Sequence, residues 1–151
     1  MLNRQFVFVT FAVALASAGF SPLSLAADPS PAAQPAAKRY RVVIQVSDGE
    51  PASWSVALNN VRNIQNRVGE KNADIEIVAY GPGIDMLKSN SPVGGRIDET
   101  MATGVRVLAC ENTMQGRKLT RKNMLPRIGY VPAGVVELIA KQQEGWAYIR
   151  P

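Results

Sequence analysis

Three short apolar runs, residues 41–46, 74–80 and 105–110, recur along this chain with helix-periodic segments between them. The first ends at Ser47-Asp48-Gly49, the second at Gly81-Pro82-Gly83, and the third at Cys110 itself. Such runs read as buried strands. Between the first two, Pro51 suits a first helical turn, and Trp54, Leu58, Val61, Ile64 and Val68 follow at helical spacing up to Gly69. A short helical turn is expected over residues 84–87. Ser91 then caps a helix from Pro92 that carries Val93, Ile97 and Met101 on one face and closes at Gly104. Residues 111–123 lean helical from Asn112 or Thr113, and residues 127–131 suit a short strand. Pro132 opens a last helix with Val135, Leu138, Ile139 and Gln142 on one face, and residues 146–150 form a last strand. This alternation predicts an α/β fold, a mainly parallel sheet with helices on both faces. Right-handed crossovers then bring the carboxyl ends of the strands to one edge, where ligands of such sheets bind.

The N-terminus carries a different signal. Arg4 precedes an uncharged apolar run over residues 6–20, shorter than the roughly 20 residues that span a bilayer. Small residues at Ser24 and Ala26 suit signal-peptidase cleavage after Ala26. Residues 1–26 therefore read as a signal peptide, and residues 27–37, rich in Ala and Pro, as a linker. One domain is expected over residues 38–151. Export to the periplasm follows, with no membrane contact after cleavage.

The formal charge of +5 is too mild to single out nucleic acid. No Walker-type or GxGxxG pattern supports nucleotide binding. Basic residues concentrate at Arg117, Lys118, Arg121, Lys122 and Arg127. This segment is either a solvated face or a site for an anion or acidic partner. The chain has one cysteine and no histidine. An internal disulfide, a Cys-His pair and a Ser-His-Asp triad are excluded within it. One cysteine with carboxylates is a poor zinc set, and neither metal nor cofactor is expected.

The candidate site lies where the strand ends meet. Ser47, Asp48 and Gly49, with Gly81 and Gly83, form turns whose amides suit an anion, or simply tight turns. Cys110 ends its strand just before a helix entry containing Asn112 and Thr113. Unpaired amides there favour a thiolate. Arg117 stands about two turns on, whereas Glu111 opposes a thiolate. A cysteine ending a hydrophobic strand is also commonly inert core.

The segment Gly104-Val105-Arg106-Val107-Leu108-Ala109-Cys110, followed by Glu111-Asn112-Thr113-Met114 and Gly116-Arg117, resembles the DsrE/DsrF-like sulfur-relay family. Ser47-Asp48-Gly49, Asn59-Asn60, Tyr80-Gly81-Pro82-Gly83 and the Gly129-Tyr130-Val131-Pro132-Ala133-Gly134 segment are similar too. The resemblance implies a flavodoxin- or Rossmann-like three-layer sandwich of DsrE type, assembled as trimers or hexamers. It also implies that Cys110 matches the cysteine that carries a persulfide and passes it to a partner. The relay members are cytoplasmic, so an exported chain is not expected to share their tRNA-thiolation partners.

Two functions stand open on these residues. One is a sulfurtransferase-like persulfide carrier acting through Cys110, with a sulfur donor or acceptor protein or a small sulfur anion as partner. The other is a non-catalytic oligomeric binding or assembly module in which Cys110 is structural. A peroxide-reactive thiol is a weaker third, since turnover needs an external reductant.

Overall fold

The computed structural model describes residues 39–151. The expected signal peptide and linker lie outside the described residues. Five strands, β1 (Tyr40–Val46), β2 (Ala73–Ala79), β3 (Arg106–Cys110), β4 (Gly129–Val131) and β5 (Ala147–Ile149), form one sheet of order β4-β3-β2-β1-β5. Every pairing is parallel. The α/β expectation holds in full.

Strand alternation divides the sheet into two unlike faces. Val42, Ile44 and Val46, with Ile75, Ile77 and Ala79 and with Val107 and Ala109, build the larger core. Helix α1 (Pro51–Val68) covers it with Trp54, Ala57, Leu58 and Val61. Helix α2 (Gly94–Ala102) adds Ile97, and the 3-10 segment Gly81–Leu87 adds Ile84, Met86 and Leu87. These side chains leave almost no surface in water, and each large one contributes about 1.5–3 kcal/mol on burial. The short helix α3 (Glu111–Gly116) places Met114 in the same core.

The opposite face is thin. Its buried apolar residues are Val43, Val78, Leu138 and Trp146, under helix α4 (Gly134–Gln143). Here the expected apolar face of the last helix is corrected. Leu138 is buried, but Val135 and Ile139 are exposed at 53% and 48%, and Gln142 is exposed. The reason lies beneath the helix. Glu76 of β2 points to this side, 1% exposed, and Arg106 holds its Oε2 at 2.8 Å. Glu137 and Lys141 of α4 act electrostatically on that carboxyl. The stripe Gly134, Glu137, Leu138 and Lys141 therefore faces the sheet, while Val135, Val136 and Ile139 face out.

Element ends differ by small amounts. Helix α2 starts at Gly94 rather than Pro92, with Val93 at its N-cap position. Ser91 still acts at this end, since its Oγ accepts from the Val93 amide at 3.4 Å and its carbonyl from the Gly94 amide at 3.1 Å. The helical lean of residues 111–123 resolves into α3 and a separate 3-10 turn, Arg121–Asn123, closed by a Thr120–Asn123 capping box. No helix among the described residues is long and apolar enough to cross a membrane.

Burial pushes the Glu76 carboxyl above its ordinary value, and Glu137 adds to this; the Arg106 hydrogen bond and charge, with Lys141, pull the other way but do not win. Its Oε1 has no hydrogen-bond partner. A carboxyl whose pKa is raised by folding stabilises the fold below its unfolded value and loses that contribution as pH rises through the folded value. Stability of the native chain should thus fall relative to Glu76→Gln from about pH 4.5 upward. Urea unfolding of both proteins across pH checks this. Parallel stability curves would contradict it.

Candidate functional site

Register sets the site. Val46, Ala79, Ala109 and Tyr130 lie in one row across four strands. Cys110 follows, paired with Val131, so the turns after β1, β2 and β3 share one edge of the sheet. Two backbone approaches close it up. A Cβ on Gly83 would collide with the Val46 carbonyl. A Cβ on Gly134 would stand 3.1 Å from Tyr80 Cβ and 3.3 Å from Cys110 Cβ, tighter than side chains ordinarily pack. Glycine lets the start of α4 sit this close to the cysteine without its neighbours having to give way.

Cys110 is 5% exposed and occupies the N-cap position of α3. Burial alone would push its thiol up. Against that, the Thr113 hydroxyl and the amides of Gly134, Thr113 and Asn112 stand near the sulfur as donors that favour its charged form. These outweigh burial, and the thiol sits below its ordinary value. Three of the donors come from the chain just after the cysteine. The fourth, Gly134, comes from α4.

Thr113 links the sulfur to the neighbouring turn. Its Oγ1 accepts from the Gly81 amide at 3.0 Å. The same hydroxyl is among the donors that favour a charged Cys110, so Thr113 joins the Gly81 turn to the surroundings of the sulfur. The Asn112 amide itself donates to the Pro132 carbonyl at 3.1 Å.

The other sequence candidates take different places. Ser47 Oγ accepts from Gln45 Nε2 at 2.8 Å. Asp48 accepts the Glu50 amide at 3.1 Å through Oδ1, and its carbonyl accepts Trp54 Nε1 at 2.9 Å. Both shape the turn into α1 and neither is among the donors to Cys110. Gly49 packs its Cα side toward Pro82. The Gly83 amide donates to the Tyr80 carbonyl at 3.1 Å. With Gly81 committed to Thr113, neither glycine amide is open to an anion. Arg117 is exposed, and its Nη2 pairs with Asp85 Oδ2 at 2.9 Å. Asn112 is exposed and takes part through its backbone.

Two features were not legible as site residues. Gly134 carries a signal only as the end of the segment 129–134 that resembles the family, and nothing in its spacing points to Cys110. The charge of Glu111 is answered by Arg121, whose Nη2 lies 3.0 Å from Oε1 while its guanidinium stacks 4.2 Å from the Tyr130 ring centre. The carboxylate that was expected to oppose a thiolate is therefore paired.

A groove of about 350 Å³ opens beside this centre, lined by Gly81, Pro82, Thr113, Gly116 and Arg117. Thr113 belongs both to the groove and to the donors near the sulfur. Among the described residues, no group of three or more His, Cys, Asp or Glu could hold a metal ion.

The fold is similar to solved structures of three proteins. One is MTH1491, a protein of unknown function from Methanobacterium thermoautotrophicum, 34% identical with a TM-score of 0.71, the match covering 74% of this chain and 99% of that one. Another is the ychN protein from E. coli, 14% identical with a TM-score of 0.60, covering 75% and 99%. The third is BT1422, a conserved protein of unknown function from Bacteroides thetaiotaomicron, 14% identical with a TM-score of 0.63, covering 78% and 100%. At 14% identity the last two speak for the fold alone. No curated protein matches the chain. The DsrE/DsrF-like family model matches residues 38–151, and the chain belongs to that family.

Proposed function

We propose that this protein is a persulfide carrier of a sulfur relay, working through Cys110. The observation that carries the reading is the placing of Cys110 at the sheet edge and the N-cap of α3, among donors that lower its thiol despite burial. Family membership supports a sulfur-relay role. A structural cysteine has no need of a stabilised thiolate, whereas sulfur transfer begins with one.

The reaction balances without an external oxidant. The Cys110 thiolate attacks the outer sulfur of a donor persulfide, R–S–SH. A new S–S bond forms on Cys110 as the donor's S–S bond breaks. The leaving thiolate takes up the proton that the new, more acidic persulfide gives up. In the second half, an acceptor thiolate attacks the outer sulfur and releases Cys110 as a thiolate. The chain holds no second cysteine, so the acceptor is another molecule or subunit. The donors at Thr113 and Gly134 serve both halves, since Cys110 is a thiolate at the start and a leaving group at the end.

The reading includes three further parts. The chain is exported, losing residues 1–26, and meets its donor and acceptor in the periplasm. It binds neither nucleic acid nor, once cleaved, membrane. It assembles as a homo-oligomer, for which the outward apolar stripe of Val135, Val136 and Ile139, 48–59% exposed, supplies a contact surface. Sedimentation of the native chain should give a species larger than a monomer, reduced in size by Val136→Lys. A monomeric native chain would remove this part.

Burial of Cys110 at 5% exposure favours one second reading, a binding or assembly module with a structural thiol. Intact mass separates the two. After brief polysulfide exposure, the native protein should gain the mass of one or more sulfur atoms, lost again on adding a small thiol, while Cys110→Ser gains none. The same spectrum reports whether residues 1–26 are gone. No gain at a free, reduced thiol would select the module.

A further inference from the structure

We propose that the groove beside Thr113 holds the carrier portion of the sulfur donor, and that this donor is a low-molecular-weight organic persulfide bearing a carboxylate, bound by Arg117. The inference rests on the persulfide-carrier reading of Cys110 and adds to it the chemical class of the substrate.

Size comes first. A groove of about 350 Å³ has room for on the order of ten waters. That far exceeds a lone inorganic sulfur anion and falls at the lower end of sites for small organic ligands.

Its walls point the same way. Pro82 and the backbone at Gly81 and Gly116 line it, with one cation, Arg117. A naked inorganic dianion needs several converging donors to replace its hydration. The groove does not provide them. The Gly81 amide is spent on Thr113 at 3.0 Å, and the Gly83 amide on the Tyr80 carbonyl at 3.1 Å. An organic anion with an apolar body and one carboxylate needs only a weakly polar wall and a single counter-charge.

Arg117 is prepared for that role. Its Nη2 rests on Asp85 Oδ2 at 2.9 Å, and Lys88 Nζ lies 3.4 Å from Asp85 Oδ1. Two cations share one carboxylate, so the group stays net positive. The pairing fixes the guanidinium at the groove while the rest of its fork has no partner among the described residues. A carboxylate can then dock on it with geometry that lysine does not reproduce.

Thr113 connects binding to chemistry. With the carrier portion in the groove, the outer sulfur of R–S–SH is directed past Thr113 toward Cys110 Sγ. Sulfur transfer forms the Cys110 S–S bond, breaks the donor S–S bond and leaves the donor thiol in the groove, protonated by the proton from the new persulfide.

Two measurements test this. The first uses Cys110→Ser protein and S-methylglutathione, an unreactive anionic probe, followed by amide NMR. Shifts should centre on Gly81, Thr113 and Gly116 and be lost when Arg117→Met is added. The second compares loading of otherwise native protein by glutathione persulfide and by inorganic polysulfide. Arg117→Met should raise the half-saturating glutathione persulfide concentration about tenfold, the scale of one charge-assisted contact, and affect polysulfide loading much less, through the loss of general charge attraction alone. Arg117→Lys should recover part of the loss. Equal effects on both donors, or probe shifts away from the groove, would overturn the proposal. Probe binding at the groove with no loading by either donor would overturn the sulfur-carrier reading and, with it, the donor assignment, leaving an organic-anion site.

Discussion

Everything at the site depends on the parallel pairing of β3 with β2. Ala79 stands opposite Ala109, so the strands end within a residue of each other and Cys110 emerges beside Tyr80 and Gly81. A slip of one residue would turn Cys110 to the other face of the sheet, away from α4. The register is itself fixed by burial. Ile75, Ile77 and Ala79 must meet Val107 and Ala109 on the core side, which leaves Glu76, Val78, Arg106, Leu108 and Cys110 on the other. The apolar pattern of the core thus decides where the sulfur goes, and the glycines at 83 and 134 let the surrounding backbone close on it.

The fold was legible for a simple reason. Three runs of β-branched residues with helix-periodic segments between them admit few architectures, and the parallel sheet follows from the crossovers. Placing Cys110 at the ligand edge follows as well. The limits are equally physical. Periodicity shows which residues could share a face, not what lies under that face. In α4, Val135 and Ile139 look like core, yet the sheet beneath them presents a buried Glu76 paired with Arg106. That surface calls for Glu137 and Lys141, and the apolar stripe is turned outward. Likewise, glycine-rich turns read as anion cradles, but the amides of Gly81 and Gly83 are consumed within the protein. Contacts between residues far apart in sequence, such as Gly81 with Thr113 or Gly134 with Cys110, leave no trace in local spacing.

The site itself joins two opposed demands. A thiol for sulfur transfer must be ionised and yet shielded from adventitious oxidation. Burial serves the second and harms the first. The protein meets both by lining a buried sulfur with donors rather than with a basic side chain, since it has no histidine. Arg117 and Arg121 are held by Asp85 and Glu111. The nearby cations therefore shape the rim while neutral donors shape the thiolate. Neutral donors also remain in place when the charge on sulfur changes, which suits a group that is in turn nucleophile, persulfide and leaving group.

The central claim is that Cys110 is a thiolate stabilised by these neutral donors, and its solitude in the chain makes this directly measurable. Ultraviolet absorbance of the thiolate can be followed against pH in the reduced native protein and in Thr113→Val, with Cys110→Ser as the blank. The account predicts half-ionisation below the ordinary thiol value in the native protein and a shift upward in Thr113→Val. Half-ionisation at or above the ordinary value, unmoved by loss of the Thr113 hydroxyl, would show that burial prevails and that Cys110 is only part of the core.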